Sequence, residues 1–171
     1  MRFILGVVIG VLLFPIFVYC YFRFGYAPVS TASSPIPFER TLAHMGLDAR
    51  IEKDAPKTAP FEPTEADMQN GAHLYRVHCA MCHGIPGGER SPTSKGMYPR
   101  PPQLFHGKGV TDDPPGETYW KIDHGIRLTG MPAYGQALSE KEMWQMAFLL
   151  ARADKLSADV QSALKQPLHT E

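Results

Sequence analysis

The chain begins with its longest uninterrupted apolar stretch. From Phe3 to Phe22, twenty residues pass without a charged side chain, and Arg2 and Arg23 stand at the two ends. As a helix this stretch would be about 30 Å long, which matches the hydrocarbon core of a bilayer. A cleavable signal peptide is the alternative, but its apolar part would be unusually long. Residues 1–23 are therefore predicted to form an N-terminal transmembrane anchor.

The following forty residues lack a pattern that would build a core. Residues 24–63 carry six prolines among scattered Ser, Thr and Ala, a composition typical of a tether. Within this tether, residues 37–51 predict a short docking helix, because four apolar side chains fall at helical spacing: Phe38, Leu42, Met45 and Ala49. Such a helix would rest on its own domain or on the membrane surface, or it would dock on another subunit. Both interpretations stay open.

Helical patterns at both ends define a globular domain at residues 64–155. The first helix is predicted from Thr64, an N-cap residue followed by acidic side chains, to about Val77. The last one begins at Ser139, which forms a predicted capping box with Glu142 and precedes a run of apolar side chains. These two helices supply most of the apolar surface of the domain.

The remainder of the domain is irregular apart from one shorter helix. Residues 84–116 and 125–135 are predicted loops, and 117–124 is a predicted helix between them. A C-terminal tail, 156–171, contains a short helical pattern near 157–166. Since no strand pattern exceeds a few residues, the predicted fold class is all-α.

Composition excludes several classes of protein. Seventeen Lys and Arg balance seventeen Asp and Glu, so the chain lacks the basic excess of a nucleic-acid-binding protein. Three cysteines are too few for a disulfide scaffold. A domain of about 90 residues with long Gly- and Pro-rich loops buries little surface. We therefore expect a metal or a cofactor to complete its core.

Two of the three cysteines lie in the stretch VHCAMCHG at residues 77–84. A zinc site needs four ligands, and no cysteine follows the motif. A thioredoxin-like redox pair is expected after a strand, whereas this pair ends a predicted helix. Covalent haem attachment accounts for all three residues of the motif: Cys79 and Cys82 form thioethers, and His83 binds the iron from one face.

The second axial ligand must come from distant sequence. The candidates are methionines and histidines outside the motif: Met97, Met131, Met143, Met146, His106 and His124. Met143 and Met146 lie on the last predicted helix, where core packing is the simpler role. Met131 lies in the irregular stretch TGMPA, where Pro132 stiffens the chain beside it. A rigid loop can hold a weak thioether ligand, so Met131 is the predicted ligand.

Four segments now carry a resemblance to a known family: GAHLYRVHCAMCHG at 71–84, YPRPPQL at 98–104, HGIRLTGMPAYG at 124–135 and LSEKEMWQMAFLL at 138–150. In these segments the chain resembles a membrane-anchored, single-haem class I c-type cytochrome of the bacterial cell envelope. The resemblance implies a small all-α fold around one covalent haem c. In that fold the first and last helices cross closely, which assigns this contact to Gly71 and Tyr75 on the first helix and to Trp144 and Phe148 on the last.

The resemblance also implies residues around the haem. A proline carbonyl orients the proximal histidine in this family, and Pro99, Pro101 and Pro102 are equal candidates here. Arg100 is expected to pair with a haem propionate, because a guanidinium holds a carboxylate with two hydrogen bonds. Further expected neighbours of the haem are Tyr98, Trp120 and Arg127.

Ligation by His and Met fills both axial positions of the iron, and a thioether raises the reduction potential. The sequence therefore predicts an electron carrier without a small-molecule substrate, which serves as a tethered shuttle or as an electron-transfer subunit of a respiratory complex. Its partners would be redox proteins or other subunits. One alternative is the cytochrome subunit of a periplasmic dehydrogenase. Another is a haem sensor or peroxidase in which Met131 dissociates from the iron.

The predicted chemistry also sets the location. Haem c is attached outside the cytoplasm, so the domain is expected on the periplasmic side of the bacterial inner membrane, held by a single pass of the anchor.

Overall fold

The structure is a computed structural model that describes residues 2–105 and 113–166. Within these two ranges every regular element is a helix: α1 (Arg2–Arg23), α2 (Glu39–Asp54), α3 (Glu65–His78), α4 (Ala80–His83), α5 (Pro92–Gly96), α6 (Pro115–His124), α7 (Glu140–Ala151) and α8 (Ala158–Lys165). The all-α prediction is confirmed. The chain divides into two compact units, Met1–Thr41 and Leu42–Glu171.

The first unit contains α1, a helix of 22 residues with Pro15 inside it. Among the described residues, this is the one helix that is long and apolar enough to cross a membrane. Its apolar side chains are exposed, as expected for a segment that is covered by lipid. A signal sequence near the N-terminus can pass the same test of length and apolar composition, so the structure alone fits either role.

In the second unit, α3 and α7 cross at close range. A Cβ on Gly71 would overlap the carbonyl oxygen of Gln145, so only glycine allows this approach. Tyr75, Trp144 and Phe148 are buried together in the core beside the crossing. The close crossing expected from the resemblance is present, although Gly71 meets the α7 backbone rather than the two aromatic rings.

Both crossing helices begin with a capping box. The Thr64 hydroxyl accepts from the amide of Asp67, whose carboxylate accepts from the Thr64 amide at 3.0 Å. Ser139 and Glu142 exchange the corresponding bonds at the start of α7. These contacts satisfy amide donors that have no partner inside a helix. The predicted starts of both helices agree with the structure.

A polar network joins α3 to α7 inside the core. The Gln145 side-chain amide donates to Asp67 at 2.8 Å and accepts from Asn70. Hydrogen bonds from Thr64 and then Gln145 hold the pKa of the Asp67 carboxyl well below its usual range. Asp67 is thus ionised and fully engaged at neutral pH.

The helix predicted at 37–51 is α2, and it ends three residues later, at Asp54. Ile51 and Ala55 are buried against Trp120 of α6. A Cβ on Gly116, also in α6, would overlap the carbonyl oxygen of Pro56. The C-terminal half of α2 and the residues after it therefore pack on α6.

The predicted C-terminal tail contains α8. Ser157 caps this helix by accepting from the amide of Val160, and it donates to Glu65 at the start of α3. Val160 and Leu164 are buried in the same core as α3 and α7. This stretch extends the core around α3.

Candidate haem-binding site

The Cys-x-x-Cys-His motif forms a compact turn at the end of α3. The amide of Cys79, the last residue before α4, donates to the carbonyl of Tyr75 at 2.8 Å. The motif then continues as α4 to His83. Gly84 ends this turn at φ 76°, a conformation that favours glycine. Because one helical turn carries all three motif residues, their side chains start from a fixed backbone.

Buried hydrogen bonds fasten this turn. The Tyr75 hydroxyl donates to the carbonyl of Gly84 at 2.8 Å. Burial raises the pKa of Tyr75 far above its ordinary value, so the phenol stays a donor. Tyr75 therefore holds the backbone immediately after His83. The resemblance had pointed to this residue only as a packing aromatic.

The His83 ring has a defined orientation. Its Nδ1 lies 2.8 Å from the carbonyl oxygen of Pro102. A carbonyl only accepts, so Nδ1 carries the proton and the lone pair of Nε2 is left for a metal. Burial lowers the pKa of His83, which favours the neutral, ligating form. Of the three prolines that the sequence left as equal candidates, Pro102 makes the contact.

The two motif cysteines are free thiols and do not form a disulfide. Burial, together with the nearby Cys82, raises the pKa of Cys79 to about 12. Within residues 2–105 and 113–166, no group of three or more His, Cys, Asp or Glu side chains is arranged to hold a metal ion. Neither the zinc nor the thioredoxin interpretation gains support.

Met131 lies in a loop that is closed by its own hydrogen bonds. Its amide donates to the Thr129 hydroxyl at 3.1 Å, and its carbonyl accepts from the Ile126 amide at 3.2 Å. Gly125 starts the loop at φ 65°. A Cβ on Gly125 would lie 2.9 Å from the Met131 carbonyl oxygen. The half-buried thioether is therefore carried by a tightly turned backbone.

The same loop is fastened to two helices. The Tyr134 amide donates to the Ile122 carbonyl at 2.9 Å, which ties the end of the loop to α6. The Tyr134 hydroxyl donates to the carbonyl of His78 at 2.9 Å, one residue before the motif. Tyr134 thus connects the Met131 loop to the helix that ends in Cys79. Nothing in the sequence singles it out beyond its place in the quoted segment.

The other ligand candidates have different surroundings. Met143 and Met146 are buried in the core, as expected. The exposed His124 stacks on Trp120 at 4.7 Å between ring centroids. His106 lies outside the described residues. Met97 is half-buried, and its side chain lies against Gly130.

The expected haem neighbours differ in their burial. Arg100 and Arg127 are exposed, and Tyr98 is partly exposed. Trp120 is buried against α2, and within residues 2–105 and 113–166 its indole nitrogen has no hydrogen-bond partner. Their roles towards a haem stay predictions.

The site also has a buried donor that sequence reasoning missed. The side-chain nitrogen of Gln103 is buried without a hydrogen-bond partner among the described residues, and it faces the position where a Cβ of Gly84 would lie. It follows Pro102, the residue that orients His83. No periodicity or motif distinguishes this glutamine from other loop residues.

These residues fit a covalently attached haem. The motif supplies two thiols, and the orientation of His83 leaves one ring nitrogen for the iron. An unsatisfied donor such as Gln103 next to the motif is the kind of atom that a polar cofactor edge would satisfy.

Comparison with known sequence families gives the same picture. Residues 66–148 match the sequence model of a family described as cytochrome C oxidase, cbb3-type, subunit III. Among solved structures, one similar chain belongs to the Kuenenia stuttgartiensis reducing HAO-like protein complex Kustc0457/Kustc0458. It is 23% identical, with a TM-score of 0.48 over 60% of this chain and 52% of that chain. The match therefore spans about half of that chain. No curated protein matches the chain significantly.

Proposed function

From the premise that the chain contains a class I c-type cytochrome domain, we propose that it carries electrons through a single haem held by His83 and Met131. Such a domain implies haem binding and electron transfer. When bound, the haem supplies a one-electron iron couple. The observation that supports this proposal best is the 2.8 Å contact between His83 Nδ1 and the Pro102 carbonyl. It fixes the ring with its second nitrogen available to iron.

Each site residue has one task in this proposal. Cys79 and Cys82 attach the haem through thioethers, and His83 Nε2 binds the iron. The Met131 thioether would be the second ligand of the iron, and with both ligands bound dioxygen and peroxide would be kept from it. Arg100 pairs with a propionate. The haem would supply an outer-sphere one-electron couple, for which no substrate pocket is required.

Further expected neighbours complete the haem surroundings in this proposal. The indole nitrogen of Trp120 has no partner in the part of the chain that the structure describes, and it is a donor suited to a propionate oxygen. Tyr98 and Arg127 lie in the segments that resemble the family and are assigned to the same surroundings.

We place the domain on the periplasmic side of the bacterial inner membrane. The support is α1, whose length and apolar composition suit an uncleaved anchor. Its partners would be redox proteins of a respiratory chain, reached by a domain that stays tethered to the membrane.

The visible spectrum of the purified full-length protein tests the ligation. We expect a sulfur-to-iron band in the red for the oxidised form, and no change when carbon monoxide is added to the reduced form. Absence of the band together with ready carbon monoxide binding would refute the closed site. It would favour the haem sensor or peroxidase.

One observation favours a second candidate, the cytochrome subunit of a periplasmic dehydrogenase. In α2, Leu42 and Met45 are 64% and 62% exposed. By helical periodicity they lie opposite Leu47 and Ile51, which pack towards Trp120. An apolar face left uncovered in this way suits a docked subunit.

Replacing Leu42 and Met45 with Ser separates the two candidates. If the protein is a docked subunit, this double variant should lose a copurifying enzyme and that enzyme's activity. If it is a shuttle, the variant should keep its spectrum and its electron-transfer rate.

A further inference from the structure

Met97 contacts the loop that carries the proposed Met131 ligand. It follows α5 directly, in an extended conformation at φ −83° and ψ 146°. A Cβ on Gly130 would overlap the terminal methyl of Met97 and lie 3.7 Å from its sulfur. The Met97 side chain therefore contacts the backbone at Gly130, immediately before Met131.

The backbone conformation at position 130 does not require a glycine, and the contact with Met97 is what distinguishes this position. Gly125 needs a positive φ, whereas Gly130 is not among the glycines with one. What distinguishes Gly130 is that the Met97 methyl occupies the space of a side chain. The one strained non-glycine residue of the loop, Leu128 at φ 60°, is 93% exposed and adds no packing. Met97 thus supplies packing that Leu128 does not.

Met97 is itself held from the side of the cysteine motif. Ser91 caps α5 by accepting from the amide of Ser94 at 3.0 Å, and its hydroxyl donates to the carbonyl of Met81 in α4. Arg90 donates to the carbonyl of Pro101 at 2.6 Å, next to the residue that orients His83. The segment that ends in Met97 is therefore hydrogen-bonded to the part of the site that carries His83.

We propose that Met97 is a positioning residue for Met131. It acts through Gly130 and keeps the Met131 thioether at the distance and angle that iron ligation needs. The inference rests on the proposed function, since it requires Met131 to be the ligand. Its physical basis is contact by a flexible, unbranched side chain that fills an irregular gap. Leucine, of similar volume and without sulfur, should replace it.

The test uses the full-length holoprotein in detergent, with imidazole as a competing ligand of the iron. We expect Met97→Ala to lower the imidazole concentration that displaces Met131 about tenfold, equivalent to about 1.4 kcal/mol. Met97→Leu should stay within about twofold of the unchanged protein, because volume and not sulfur is required. An alanine variant that behaves as the unchanged protein would overturn the proposal. A leucine variant as weak as the alanine variant would also overturn it, since sulfur would then be needed.

A double substitution guards against a variant that merely folds badly. Gly130→Ala alone should change the red band little, because the flexible end of Met97 can move aside. Combined with Met97→Ala, the same methyl fills part of the vacated space, and the imidazole resistance that Met97→Ala loses should recover. A double variant as weak as Met97→Ala contradicts the contact. Haem content and far-UV circular dichroism report folding in each case.

Met131→Ala separates failure of the ligand assignment from failure of this inference. If Met131→Ala keeps the red band, the proposed ligation is wrong. If it loses the band while the Met97 and Gly130 variants show no coupling, only the positioning role is wrong.

Discussion

Replacing Tyr75 with phenylalanine removes one buried hydroxyl and leaves the packing of its ring. The ring keeps its edge contact with Phe105, at 5.0 Å between centroids. The Gly84 carbonyl, which accepts the hydroxyl at 2.8 Å, is left buried without that donor. An unsatisfied buried acceptor costs about 1–3 kcal/mol. We expect the free energy of unfolding at neutral pH to fall by about this amount.

The stability difference between the unchanged protein and Tyr75→Phe should depend on pH. Burial raises the pKa of Tyr75 above the ordinary value of 10.0, so the phenol stays protonated in the folded state and ionises first in the unfolded chain. Its contribution is therefore complete below about pH 10 and is lost as pH rises further, by about 1.4 kcal/mol per pH unit. The phenylalanine variant has no such loss at this position. The stability difference between the two proteins should shrink above about pH 10.

Urea unfolding of the holoproteins, followed by circular dichroism at about pH 7 and about pH 11, measures both effects. The matched control is Tyr26→Phe, whose side chain is 73% exposed and should change neither value. A Tyr75→Phe variant as stable as the unchanged protein at pH 7 would refute the hydrogen bond. A difference that stays constant up to pH 11 would refute the raised pKa.

Four further substitutions test the site, the core network and α2. Met131→Ala should lower the reduction potential and allow carbon monoxide to bind; an unchanged spectrum and redox titration would contradict the ligand assignment. Asp67→Asn should destabilise the fold at neutral pH, because hydrogen bonds, above all from Thr64, depress the pKa of Asp67. The stabilisation by the Asp67 carboxylate is present above about pH 4 and is lost on acidification, so the free energies of unfolding of the two proteins should converge at low pH. A stability difference that stays constant with pH would contradict this prediction. Ile51→Ala should lower the free energy of unfolding in urea by about 2–4 kcal/mol. Leu42→Ala, on the exposed face of α2, should lower it by less than about 0.5 kcal/mol. Equal effects of the two substitutions would exclude the packing of α2 on α6.

The parts of the fold that the sequence predicts are those determined by interactions between residues close together along the chain. Thr64 and Ser139 mark the starts of α3 and α7, because a capping box involves residues only three apart. The motif at Cys79–His83 is equally local, since its thiols and imidazole share one helical turn. Such signals need no knowledge of the rest of the chain.

The contacts that orient the site are not local. The three prolines near His83 offer chemically identical carbonyls, and only the path of the loop selects Pro102. Tyr134 and Met97 likewise act on partners 56 and 33 residues away, His78 and Gly130, through contacts that no periodicity marks. The short helices α4 and α5 were also not predicted, because they are too brief to show a repeat.

The packing of α2 changes what the tether can do. The sequence suggested forty residues of tether, 24–63, but Ile51 and Ala55 pack against Trp120 of the domain itself. The stretch between α1 and α2 is residues 24–38, fifteen in all. At about 3.5 Å per extended residue it reaches at most roughly 50 Å, against about 140 Å for forty residues. A shorter tether raises the effective concentration at nearby sites and excludes distant ones. With α1 as the proposed anchor, the partners of the domain would lie within this reach of the membrane, which favours a subunit or a close-range carrier over a long-range shuttle.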